Sequence, residues 1–390
     1  GTVDVKVKAR SYASADIIVP SVGISLLNAT LLFTYATAGG TFAAELGIGN
    51  AKESNVGTTT VDDTYSSIAT SATGPAGGVG VSLVDVKVNV SIATASSNVT
   101  AALTGVGVLN VNGSLSVTAN GSGSATAEGR THKVTVTLAN VAVNEVQAYM
   151  SVVQKAYVEM DAKAASVIHV TGSLKVTSHL GDANTPVSAT ATVGSSAGSA
   201  PKVNDKGKTV PSYSIALLDV TVNKATAWEQ STNDAFISGA GRAMTTIEAG
   251  SVLIEAKTWS KSDAEANASS VIGLFAAGGL QAEARACDSV VSHVSAVTLK
   301  TTFGDVKIKA LGTVNVYALS ASPGGATAAN LASSSSRAFA GYREGETDYQ
   351  DVKDTTSTVH YQIVRAYIDT NAVVRSAQDA IVDALNVGTS

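Results

Sequence analysis

The sequence predicts an all-β fold, an elongated β-solenoid (β-helix) with projecting loops, and three observations carry that prediction. The first is a glycine-led phrase that returns along the chain: Gly1-Thr-Val-Asp-Val-Lys-Val7, Gly113-Ser-Leu-Ser-Val-Thr-Ala119, Gly172-Ser-Leu-Lys-Val-Thr-Ser178, Gly250-Ser-Val-Leu-Ile-Glu-Ala256, Gly304-Asp-Val-Lys-Ile-Lys-Ala310 and Gly312-Thr-Val-Asn-Val-Tyr-Ala318. Self-similarity on this scale marks a repeat architecture. The second is strict polar/apolar alternation inside each phrase, the period of a half-buried strand. The third is composition: 45% of the 390 residues are apolar but only 5% aromatic. A core of Ala, Val, Leu and Ile is thin, which suits stacked coils better than a thick globular interior.

Within the opening phrase the second, fourth and sixth residues after glycine point inward, as Val3, Val5 and Val7 do, and Leu115, Val117 and Ala119. The residues between them face water, and there Leu253 and Tyr317 break the polar pattern, which makes them candidate partner-contact residues. The phrase glycines lie 112 (Gly1 to Gly113), 59 (to Gly172), 78 (to Gly250) and 54 (to Gly304) residues apart. A unit of about 55 to 60 residues with insertions fits, the first interval being two units with a degenerate marker near Gly57. The chain then reads as one continuous repeat domain over 1–390, a segment of a longer chain or fibre, with units near 1–112 (double), 113–171, 172–249, 250–303 and 304–390.

A second phrase has a Val-x-Val-Asn centre at Val86–Asn89, Val141–Asn144 and Val220–Asn223, each followed four residues on by alanine, at Ala93, Ala148 and Ala227. A third joins Ala to an aromatic residue, at Ala148-Tyr149, Ala235-Phe236, Ala338-Phe339 and Ala366-Tyr367. The span 133–165 alternates without Gly or Pro, as one long ribbon or as strands joined by bends, and 152–158 also carries a weak helical pattern. A helix is the alternative for 373–385, where apolar residues recur at i, i+4 and i+8. Segments 51–66, 194–212 and 342–356 break the alternation and read as projecting loops, the usual binding elements of repeat proteins.

Charge and chemistry exclude several classes. With 15% charged residues and a net charge of −5 there is no basic field for nucleic acid or an anionic membrane, and no apolar run long enough for membrane insertion. The single cysteine, Cys287, precludes an intrachain disulfide and reads as a small buried side chain on a strand. A Gly-x-Ser-x-Gly string at 194–198 lies in a Gly/Ser/Ala loop and lacks the strand-to-helix setting of a nucleophile elbow. Gly74–Gly80 lacks the Lys-Ser/Thr of a phosphate loop, and the acidic run Glu344 to Asp354 lacks EF-hand spacing. The outward residues Asp4, Ser116, Lys175, Leu253, Lys307 and Asn315 form no carboxylate cluster of the kind a β-helical polysaccharide enzyme needs, and no Thr rows in ice-binding register appear. No catalytic, metal or cofactor-binding residue is therefore assigned.

The order Gly-x-Val-x-Val-x-Ala, an Ala/Ser/Gly-rich stretch, Val-x-Val-Asn, then Ala-Tyr/Phe-Ile resembles giant bacterial surface proteins, the filamentous adhesins and leukotoxin-like exoproteins related in style to filamentous haemagglutinins. The resemblance implies a secreted or cell-surface scaffold, extracellular and non-catalytic, that continues into more chain or self-associates end to end. Its alternatives are an adhesin module that binds a host glycan or protein through inserted loops, and a β-helical polysaccharide-degrading enzyme.

Overall fold

A computed structural model describes residues 5–9, 12–18, 23–24, 26–48, 54–73, 78–105, 107–129, 133–160, 165–194, 213–239, 245–267, 270–321, 326–343, 359–360, 362–369 and 371–389. Every regular element among them is a strand, and all but one short pair run parallel. They form two sheets that face one another as a β-solenoid, each turn of chain laying one rung on each sheet.

The first sheet has seven rungs: Val5–Ala9 with Tyr12–Ile18, Ser54–Val56 with Thr59–Thr73, Val108–Val111 with Leu115–Gly129, Ser166–Leu180 with Val187–Val193, Thr245–Asn267, Thr298–Thr301 with Val306–Ala321, and Val373–Arg375 with Ala380–Thr389. The second has six: Gly23–Ile24 with Leu27–Ile48, Gly78–Gly105, Lys133–Met160, Tyr213–Glu229 with Thr232–Gly239, Ser270–Ala286 with Ser289–Ser295, and Ala326–Ala340 with Ile363–Ile368. Tyr342–Arg343 and Val359–His360 make the one antiparallel pair.

Register follows the sequence phrases. Val61, Val117, Val176, Ile254, Ile308 and Val382 stack in one inward column of the first sheet. Successive rungs there are offset by 54 (Val5 to Thr59), 56 (to Leu115), 59 (to Leu174), 78 (to Val252), 54 (to Val306) and 74 (to Ala380) residues. The phrase glycines stand where turns of successive coils press together. A methyl on Gly172 would sit 2.7 Å from the Gly113 carbonyl oxygen, and one on Gly250 would sit 2.6 Å from that of Gly172. Only a residue without Cβ allows that approach, which is why glycine leads the phrase.

The core between the sheets is as thin as the composition requires. Gly121, Gly123 and Gly129 of one sheet lie directly under Gln154, Met150 and Val146 of the other, with no room for a methyl. Alternate residues of Thr245–Asn267 and Lys133–Met160 are buried, and alanine and valine dominate the sealed positions.

Several expectations need correction. The opening phrase is two residues out of step, because Val5 pairs with Thr59 and Thr59 with Leu115. Gly312 starts no rung; it continues the strand Val306–Ala321 and pairs with Thr258. Of segment 51–66, residues 51–53 lie outside the described residues and the rest is strand at 54–56 and 59–66 around a bend at 57–58, not a projecting loop: buried Thr59 and Asp63 hold inward places beside Val61, so polar inward residues hid the alternation. Segment 373–385 is two strands, 373–375 and 380–385, joined by a bend, and no helix, since a spacing of four is a multiple of the strand period as well as near that of a helix. The span Lys133–Met160, including 152–158, is a single 28-residue strand. Cys287 is buried as expected but sits at the corner between Ser270–Ala286 and Ser289–Ser295, off the strand. Of the other loop and motif segments, 195–212, 344–358 and 74–77 lie outside the described residues.

Candidate interaction surface

The outer face of the first sheet is polar and internally paired. Lys300 and His169 both approach Glu248, at 2.9 and 3.8 Å, and Lys261 pairs with Asp263 at 2.7 Å. Glu255 receives His179 Nε2 at 3.0 Å and Lys257 Nζ at 2.8 Å. Burial alone pushes its carboxyl up, but those two hydrogen bonds outweigh it and bring the group down to about 2. Leu253 lies on this face between Lys175 and Lys307, and Tyr317 pairs with Asp263. The two are not brought together: ten residues of strand, about 33 Å, separate Leu253 from the Asp263 beside Tyr317.

The second sheet carries ladders. Asn89 donates to Asn144 and Asn144 to Asn223, each Nδ2 to Oδ1 at 2.7 Å, and Asn223 ends the series on the Asn267 carbonyl at 2.6 Å. These are the asparagines of the second phrase, and they point inward. The third phrase divides into two columns eight residues apart. One holds Tyr149, Trp228, Arg285 and Phe339; the other holds Tyr157, Phe236, His293 and Tyr367. The rings of the second column stack at 4.9, 5.0 and 5.0 Å, within 13° of parallel. The two middle rings, Phe236 and His293, have both faces covered by their neighbours.

Polar groups also cross the interior. Gln154 Nε2 donates to the Ala119 carbonyl and Ser178 Oγ, both at 3.1 Å, joining the two sheets. At the corner by Cys287, Glu229 and Asp288 are both fully buried, with Ser231 Oγ donating to Glu229 at 2.5 Å. Burial, then the neighbouring Asp288 charge, pushes the Glu229 carboxyl well above its ordinary range. Burial and Asp288 also push the Cys287 thiol up to about 11, so it is no nucleophile at neutral pH. Neither acid opens to a substrate. Two shallow clefts near this region, by Gly40 and Asn98 and by Tyr149 and Trp228, hold about 230 Å³ each, below the usual size of a ligand pocket. Among the described residues no group of three His, Cys, Asp or Glu is placed to hold a metal ion, and no helix is long and apolar enough to cross a membrane.

The leading limb of the second sheet inverts the usual dressing of a strand. Its inward residues are polar: Asp85, Asn140 and Asp219 are buried in one column, with Asn140 Nδ2 donating to Asp219 at 3.0 Å and Lys87 paired to Asp85. Its outward residues are apolar. Leu83, Leu138, Leu217 and Leu274 occupy equivalent places in successive rungs and are 48%, 50%, 48% and 50% exposed. Val81, Val136, Ile215 and Ile272 make a second exposed column beside them, and the valines of the second phrase add to the same face. Neither Leu253 nor Tyr317 belongs to it. The signal was present in the sequence as a leucine six residues before each phrase asparagine, at Leu83, Leu138 and Leu217.

No protein-family model, curated protein or solved structure matches the chain.

Proposed function

We propose that the chain is a structural segment of a secreted or cell-surface bacterial fibre or filamentous adhesin, a non-catalytic scaffold. The observation that carries this reading is the continuous in-register stack, seven rungs on one sheet and six on the other, tied by the asparagine and aromatic ladders. The asparagine ladder ties three neighbouring rungs, with Asn144 accepting from Asn89 and donating to Asn223 along the axis. The outermost described rungs, Leu27–Ile48 on one side and Ala326–Ala340 on the other, pair along one edge only. Parallel edges with free backbone groups are templates for a further rung. The resemblance to bacterial surface proteins in the phrase order supports the extracellular setting.

Electron microscopy of the purified chain, with fibre diffraction, tests the reading. End-to-end stacks with an axial reflection near 4.8 Å are expected from strands lying across the axis. A monomer that stays discrete at high concentration with both edges protected from hydrogen exchange would sink it.

A further inference from the structure

We infer that the apolar outer face of the second sheet's leading limb is a lateral interface that packs against the same face of a second copy of this chain. Parallel sheets are ordinarily covered on both faces, because their strands carry apolar residues on both sides. Here the inner side of the limb is buried and polar, while the outer side carries stacked Leu, Val, Ile and Phe about half exposed. Five rungs contribute, from Leu26 beside Leu83 to Leu274.

Size argues for a protein partner. Five rungs at about 4.8 Å and eight residues of strand at about 3.3 Å give roughly 24 by 26 Å, about 600 Å² in projection before side-chain relief is counted. Soluble monomers rarely expose contiguous apolar patches beyond a few hundred Å². A stable protein interface buries about 800 Å² per partner, the same scale.

Chemistry and shape argue for a second copy. The leucine column forms ridges repeating at the rung spacing, and a like face turned over presents ridges of the same spacing. Two such faces interdigitate as stacked sheets do, about 10 Å apart and within about 30° of alignment. A two-fold arrangement uses the same patch twice and closes at two copies. Among the described residues, Lys224 and Glu145 beside the face neutralise one another at 3.0 Å. This surface is separate from the rung edges invoked for axial growth, so the two readings stand or fall independently.

Sedimentation equilibrium on the purified chain tests the inference, using a Thr37→Pro, Ala332→Pro background that blocks growth at both outer rungs of the second sheet. The chain is expected to dimerise reversibly. Leu138→Glu with Leu217→Glu should weaken dimerisation at least 100-fold with unchanged circular dichroism, while Lys175→Glu on the polar sheet leaves it unchanged. A monomer at 100 μM, or a dimer that survives the double leucine variant, overturns the proposal. A monomer that floats with phosphatidylcholine vesicles in a leucine-dependent way also overturns it, in favour of lipid. A monomer that binds no hydrophobic dye overturns it in favour of cover by the chain's own loops. The wild-type measurement decides even if the double variant misfolds.

Discussion

The outer faces of the two sheets use one backbone device and opposite side chains. Both stack parallel strands in register. The first sheet sets Lys and His against Glu and Asp between neighbouring rungs, so much of its surface charge is paired within the molecule. The leading limb of the second sheet sets leucine on leucine and hides its Asp and Asn inside. The contrast shows that alternation alone does not tell which set of residues faces the core. What decides is what the opposite face meets: apolar residues of the other sheet in one case, a buried polar ladder in the other.

The sharpest way to break the contrast is to compare truncations of inward and outward apolar residues. Ile254→Ala, in the sealed column of the first sheet, should cost about 3 to 4 kcal/mol in denaturant unfolding, as cavities at buried isoleucine do. Leu217→Ala, measured below the concentration of any association, should cost less than about 1 kcal/mol because half of the side chain is already in water. Equal costs would mean that the leucine face is covered within the chain.

Asn144→Ala should come next, at about 2 kcal/mol, because it strands the Asn89 amide and the Asn223 oxygen together. Thermal or chemical denaturation checks it, and a loss below about 0.5 kcal/mol would remove the ladder from the account of the inward face.

The two displaced carboxyls give pH signatures of opposite sign. Glu229 has a folded pKa raised above its ordinary 4.5, so its stabilising protonated form is fully present below about 4.5 and lost as pH rises through the folded value. Glu229→Gln should therefore flatten the decline of stability on the alkaline side of 4.5. Glu255, brought down to about 2, contributes above about 4.5 and loses that contribution as pH falls through 2. Glu255→Gln should flatten only the acid limb, and because its partners His179 and Lys257 are solvent-screened it should give the smallest effect of the series. Unfolding midpoints between pH 2 and 9 check both; a Glu255 variant with the larger effect would reverse the ranking of buried corner over paired surface.

Much of the fold was legible because the core repeats. The inward valines and isoleucines of the glycine-led phrase, and the Val-x-Val-Asn phrase, are the columns that stack. What failed had local causes. Thr59 and Asp63 put polar groups at inward places, and the four-residue spacing of 373–385 fits two periods at once. The candidate surface was missed for a further reason. Leu253 and Tyr317 stand out as breaks in a polar column, whereas Leu83, Leu138, Leu217 and Leu274 break nothing locally and become a surface only when the register of successive rungs aligns them. A column is a property of several rungs, and one rung read alone does not show which way it faces.

The long rung offsets have a mechanical consequence. Each coil takes at least 54 residues to advance the axis by one strand spacing of about 4.8 Å, an axial yield of about 0.09 Å per residue against 1.5 Å in a helix. The 28-residue strand Lys133–Met160 would measure about 92 Å if straight, while seven rungs, six spacings, climb only about 29 Å. The chain devotes its length to girth. Flexural rigidity rises steeply with cross-section, so material built from such coils resists bending far more than its modest reach would suggest.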